Sequence, residues 1–319
     1  MGQFLLRRIL VSIPVLLGIT IAMYVIINLA PGDPVTALMN PEQMANMGPD
    51  WVAQQRESLG LNDPLPVRYV KWLEETASGN LGYSSVDRLP VNEKIGERIW
   101  PTLKLMLVVL VISVIVGVPL GIISALKQYS IVDYLLTISG FLTVSIPSFF
   151  LALVLIYIFS LKLDWLPTAG MYTVGQPRNF VDSLQHMILP ATVLGLAQAA
   201  PIIRYTRASL LETIRQDYVT VARAKGLAER GVVMHALRNA LIPIITIIAL
   251  NIPMLLGGTV IIEQVFSWPG MGSLAIASVQ GRDYNVLMGI NLIAAIMILV
   301  SNLIADAIYA LVDPRIKYS

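Results

Sequence analysis

Long uninterrupted apolar runs alternate along the chain with shorter polar stretches, and this block pattern points to helices rather than half-buried strands. Crossing about 30 Å of hydrocarbon as a helix takes roughly 20 apolar residues. Windows of that kind with few charges occur at 9–29, 103–126, 134–159, 186–203, 241–262 and 286–310, which predicts six spans. The fourth is the weakest, because it carries Pro190, Gln198 and Pro201; it is expected to be broken or partly lined by protein and water. Pro14, Pro119, Pro147 and Pro253 are expected to kink their helices. The first run follows Arg7 and Arg8, exceeds the roughly 7–15 apolar residues of a secretory signal, and ends in Pro-Gly-Asp-Pro (31–34) without a small-residue cleavage pattern. It reads as a retained signal-anchor helix.

Composition agrees with a bilayer as solvent. The 319 residues are 56% hydrophobic and 13% charged with a mean hydropathy of +0.72, against about a quarter charged in soluble domains. A net charge of +2 gives no global field for nucleic acid. The absence of cysteine rules out disulfides, thiolate metal sites and cysteine nucleophiles. His186 and His235 stand alone in the sequence.

The location of the charges carries more than their sum. Arg7, Arg8, Lys127, Arg204, Arg207, Arg215, Arg223, Lys225, Arg230, Arg238, Arg315 and Lys317 fall on one side of the six spans, whereas the short loops of the other side hold Lys162, Arg178 and Arg282. Basic flanks resist translocation, so both termini are expected in the cytoplasm. The segment 31–101 mixes basic residues with many carboxylates and belongs outside, since long segments translocate largely regardless of charge. It carries Trp51, Trp72, Leu59, Leu61 and Tyr69 and is expected to fold, with helices over Asp50–Leu59 and Val67–Thr76 separated by Asp63-Pro64-Leu65-Pro66. Glu74 and Glu75 are adjacent on that second helix and read as a solvated face.

The richest cytoplasmic stretch is 204–241. Leu210, Leu211, Ile214, Tyr218, Val221 and Ala222 recur near every third or fourth position, opposite Arg207, Arg215 and Arg223. Gly226 and Gly231 are expected to interrupt that pattern, giving a short helix-break-helix. Its cations suit anchoring to anionic lipid; the small residues Ala222, Ala224 and Gly226 between Arg223 and Lys225 equally suit close packing into a partner's groove. Spacing does not choose between the two.

Asp217-Tyr218 followed by ARAKGL (222–227) and RNALIP (238–243) resembles the cytoplasmic signature of the dipeptide/oligopeptide/nickel permeases of ATP-binding-cassette importers. RRILVSIPVLLGIT (7–20), APGDP (30–34), LGLNDPL (59–65), GNLGYS (79–84), SIPSF (145–149), WLPTAG (165–170), ILPA (188–191), FSWPGMG (266–272) and DPRIKYS (313–319) look like further landmarks of that family, so the resemblance covers nearly the whole chain. It implies an all-α membrane protein of the type I importer permease fold: residues 1–30 as N-terminus and first span, 31–101 outside, 102–311 as a five-helix core carrying the coupling loop 204–241, and 312–319 as a cytoplasmic tail. It implies a coupling helix around 218–231, with Tyr218, Ala222, Arg223, Ala224, Lys225, Gly226 and Leu227 meeting an ATPase. The expected partners are a second homologous permease, two ATPase subunits, an extracytoplasmic solute-binding protein docking on 31–101, 160–185 and 264–285, and membrane lipid. ATP and Mg would lie on the ATPases, with no cofactor on this chain and no catalysis by it.

Two departures exist. Thr220, Val221 and Ala222 stand where the general importer motif has Glu-Ala-Ala, and GNLG replaces the commoner GDLG. A phosphate loop ending in Gly-Lys-Ser/Thr is absent, so the energy must come from another chain. Dipeptides, oligopeptides, glutathione and nickel all remain possible cargoes. Asn28, Asn251, Asn291 and Asn302 lie within or near spans; Asn251 and Asn291 are candidates to line the path, with interhelical hydrogen bonding as the alternative. Glu263 and Asp306 are expected to reach interfacial water or a neighbouring cation. A secondary transporter is the rival class, and it would show intramembrane charges or an inverted repeat. A membrane hydrolase would show His-Glu-x-x-His, Gly-x-Ser-x-Gly or paired aspartates, none of which is present.

Overall fold

The computed structural model describes residues 2–29, 50–54, 56–57 and 62–312, without the side chains of 2–5, 254–258, 309–310 and 312. The landmarks APGDP and DPRIKYS, with Leu59 and Leu61, lie outside the described residues. The helices are α1 (Gly2–Leu29), α2 (Leu65–Ala77), α3 (Val91–Leu126), α4 (Ile131–Ser145), α5 (Ser148–Leu155) continuing as a π-helix (Ile156–Lys162), α6 (Phe180–Ile214), α7 (Asp217–Ala224), α8 (Glu229–Val265), α9 (Met271–Gln280) and α10 (Tyr284–Val312). Residues 50–54 and 56–57 are helical too.

Among the described residues, α1, α3, α6, α8 and α10 are each long and apolar enough to cross a membrane. The third predicted span differs from expectation: α4 and the α5–π segment meet at a bend of 103°. Pro147 does more than kink this span, because it stands outside both helices and separates them. The packing of α3 on α6 shows that the bent pair is still a crossing. A Cβ on Gly195 would lie 2.6 Å from Ile112, one on Gly117 2.7 Å from Ile202, and one on Gly121 2.5 Å from Thr206. Contact positions therefore rise together along both helices, so α3 and α6 run parallel. A chain that ends one helix and begins a parallel one must recross the bilayer between them, which makes six spans.

Of the two forms expected of the fourth span, the structure shows the one lined by protein. It is not broken: α6 runs without interruption through Pro190 and Pro201 and is the most enclosed span, with 61% of its central window buried against 11–28% for the others. Its modest apolarity reflects burial against protein, which frees it from presenting aliphatic side chains to lipid. The helix also extends to Ile214 and so absorbs the start of the expected loop. Pro14, Pro119 and Pro253 likewise lie inside continuous helices.

The chain divides into two compact units. The first comprises residues 1–6, 101–269 and 298–319. One of its apolar clusters joins Leu105, Val109, Met187, Val193, Ile262, Phe266 and Trp268. A second joins Ala125, Leu210, Val219, Val232, Ala236, Ala240 and Ile244. Two sequence landmarks, WLPTAG and FSWPGMG, meet at the first cluster. Gly170, in left-handed conformation at φ +83°, donates to the Phe266 carbonyl at 2.7 Å, His186 contacts the Ala169 carbonyl at 3.0 Å, and the Trp268 indole donates to the Pro101 carbonyl at 3.1 Å. His186 does not stand alone, as it also faces Asp182 at 3.5 Å, whose carboxylate accepts the Thr173 amide and hydroxyl at 2.8 and 2.7 Å.

The second unit comprises residues 7–100 and 270–297. Val91, Ile95, Met271, Leu274, Val286 and Ile290 form its apolar cluster. The Asp283 carboxylate accepts from the Ser84 hydroxyl and, at 3.1 Å, from the Ser85 amide, while Asn285 donates to the Tyr83 carbonyl at 2.8 Å. Asn80 of GNLG accepts the Gly82 amide at 3.0 Å, a contact an aspartate oxygen would make equally well. The helix expected at 67–76 is α2, started by Pro64 and Pro66. It packs on α1 through Tyr69 and Trp72 against Tyr24, with Arg68 donating to Asn28 at 2.7 Å. Glu74 and Glu75 are exposed. Val91 to Trp100, expected outside the second span, belong to the first turns of α3.

Candidate functional site

The short helix α7 is built by local chemistry. Asp217 in its first turn and Arg223 in its last suit the helix dipole. Its end is a Schellman turn: Leu227 donates to the Ala222 carbonyl at 3.3 Å and Gly226 to the Arg223 carbonyl at 2.9 Å, with Gly226 at φ +77°. Gly231 sits inside α8 and interrupts nothing, so of the two expected breaks only Gly226 makes one. Arg223 reaches across the turn to Glu229 at 2.7 Å, and this exposed carboxylate raises the guanidinium above its ordinary value.

Val219 is fully buried against the cluster of Ala125, Leu210, Val232 and Ala240. The sequence periodicity assigned this role to Tyr218, Val221 and Ala222; instead Tyr218 and Val221 are exposed and Ala222 is half-buried. Tyr218 Oη accepts from Asn239 at 2.9 Å, which ties α7 to α8. Ala224, Lys225, Gly226 and Leu227 are exposed, so α7 and its turn present an apolar and cationic surface.

Beside this cluster lies an ion pair that sequence reasoning missed. Asp133 is buried and accepts two bonds of 2.8 Å from the Arg207 guanidinium, a third from the Ser124 hydroxyl, and one of 3.0 Å from the Tyr129 amide. Arg207 was expected on a polar face with Arg215 and Arg223; the structure places it in a bidentate clamp joining α3, α4 and α6. The signal available was a lone aspartate at the start of an apolar span, which requires a partner.

The sequence matches two family descriptions. Residues 117–318 match the binding-protein-dependent transport system inner membrane component, and residues 1–106 match the N-terminal region of such membrane components. The chain belongs to this family. It is 45% identical over 320 residues to the oligopeptide transport system permease protein AppB of Bacillus subtilis (strain 168), covering 100% of both chains. It is 40% identical over 343 residues to the dipeptide transport system permease protein DppB of Alkalihalophilus pseudofirmus, again covering 100% of both. Among solved structures it is similar to the MetNI methionine ABC transporter, with a TM-score of 0.55 and 18% identity over 69% of this chain and 96% of that one. That likeness shows the fold, the type I importer permease fold.

In this inner-membrane component the polar groups of the spans are more locally satisfied than expected. Asn251 and Asn291 each donate to the carbonyl four residues earlier in their own helices, Ile247 and Leu287, at 2.8 Å. These bonds lie within single helices. Glu263 does not reach interfacial water: it is completely buried and accepts from Thr102 at 2.7 Å. A carboxylate at that depth persists only with donors around it.

Proposed function

We propose that this permease forms one half of the translocation path of an ATP-driven peptide importer, and that α7 with its Gly226 turn receives the stroke of a separate ATPase. The observation that carries the reading is end-to-end similarity to permeases named for oligopeptides and dipeptides. The exposed surface of α7, seated by Val219 on the ends of α6 and α8 and tied to α8 through Tyr218, supports the coupling role. A rigidly seated helix passes displacement to the spans, whereas a loose one absorbs it. The partners in this reading are a second homologous permease, two ATPases that hold ATP and Mg, and an extracytoplasmic binding protein. Six crossings leave both termini on one side, and the excess of arginine and lysine there assigns that side to the cytoplasm.

Gly226 supplies the test. Its surroundings are open, but its φ suits only glycine and, less well, asparagine. Gly226→Val is expected to abolish uptake of labelled peptide and co-purification of the ATPases, and Gly226→Asn to retain much of both. Unchanged uptake and assembly in Gly226→Val would remove the coupling role. Competition by unlabelled dipeptide, tripeptide, glutathione or Ni²⁺ in the same assay identifies the cargo.

A further inference from the structure

The break in the third span has a consequence for the path, given the reading of this chain as a peptide permease. Its two arms are 15 residues of α4, then eight α-helical and seven π-helical residues. Each arm is about 20 Å long, too short to cross the hydrocarbon alone. The elbow at Ser145–Pro147 is therefore near mid-depth. Backbone polar groups there are not all closed. Pro147 has no N–H to give the Thr143 carbonyl, and as the residue preceding α5 it offers no side-chain cap to the first amides of that helix. Ser145, Ile146 and Pro147 are exposed in this chain, with Phe141, Phe149 and Phe150 beside them. Irregular backbone at such depth is tolerated where protein covers it or water reaches it, and not against lipid.

The faces of α4 favour water. Thr137, Phe141 and Ser145 follow at intervals of four and form one exposed strip of hydroxyls and a ring. Leu135, Ile138 and Leu142 form a neighbouring exposed strip that is mostly aliphatic, its one hydroxyl, Ser139, being bonded back to the Leu136 carbonyl, and it suits lipid. We propose that the elbow and the Thr137–Phe141–Ser145 strip line the aqueous path at mid-membrane. Its main-chain groups and hydroxyls bind the backbone of a passing peptide, and its rings bind apolar side chains. Contacts of this kind are indifferent to peptide sequence, because every peptide carries the same main chain.

The chain contains no cysteine, so single cysteines can be read directly. Ser145→Cys, Thr137→Cys and the control Leu135→Cys are assembled with the partner subunits in vesicles and treated from both sides with a charged, membrane-impermeant methanethiosulfonate reagent. The first two are expected to label at least about tenfold faster than the control, since only water-lined positions admit a charged reagent, and saturating translocated peptide is expected to slow them. Labelling of both positions as slow as the control overturns the proposal. So does oxidative disulfide cross-linking of Ser145→Cys to a cysteine introduced in the second permease, without reagent labelling, which would mean that the elbow is covered by that subunit. Peptide uptake by the cysteine-free chain is measured in the same vesicles: uptake without labelling removes the elbow inference alone, and failure of uptake removes the peptide reading beneath it.

Discussion

The third and fourth spans reverse what their sequences suggest. The third is an apolar run with one proline and is broken by 103°; the fourth has two prolines and a glutamine and is continuous. Proline removes one helical hydrogen bond in each case. What differs is the surroundings. Pro190 is buried and Pro201 half-buried within the first unit, where Gly117, Gly121 and Gly195 bring α3 and α6 into close contact along the continuous helix. Pro147 is exposed and stands between the two helices rather than inside one.

The largest effect expected from breaking this comparison is at the clamp between the two regions. Arg207→Met leaves Asp133 buried without its cation and should cost about 3–5 kcal/mol, read as a lowered unfolding temperature in detergent. Arg223→Gln removes an exposed pair and should leave that temperature unchanged. If both variants unfold alike, the clamp does not hold α4 to α6. Next, Gly121→Val forces a side chain into the Thr206 contact and should cost about 1–3 kcal/mol; an unchanged melting temperature would show that α3 and α6 have room to separate. Pro147→Ala should change stability by less than about 1 kcal/mol yet lengthen the distance between spin labels on the two arms, measured by pulsed electron resonance. The same substitution at Pro201 should leave α6 as it is. An unaltered distance in Pro147→Ala would assign the bend to packing rather than proline.

The smallest effect lies outside the spans. A hydrogen bond from Lys94 holds the Asp87 carboxyl down at about 2, below its ordinary value. Because the folded pKa is depressed, the pair stabilises the fold fully above the unfolded value of about 4. That contribution is lost as pH falls from there through about 2. Asp87→Asn should flatten this part of the acid-unfolding profile, and an unchanged profile would mean that the ion pair contributes nothing.

Much was legible in the residues themselves. Six crossings follow from run length, because hydrocarbon thickness sets helix length; the α2 start at Pro64 and the α7 stop at Gly226 follow from backbone chemistry confined to a few positions. The ordered landmarks carried the family. The short helix α7 was legible in position but not in facing: an eight-residue helix offers two turns of periodicity, too few to separate Val219 from Tyr218 and Val221. Partnerships between distant positions were not legible, whether Asp133 with Arg207, Glu263 with Thr102, His186 with Ala169, or Asp283 with Ser84. Each depends on two segments distant in sequence being brought together by the fold, and a single sequence records each side chain without its neighbour. The proline rule shows the same limit: local chemistry states that a bond is lost, and only tertiary packing decides whether the helix bends for it.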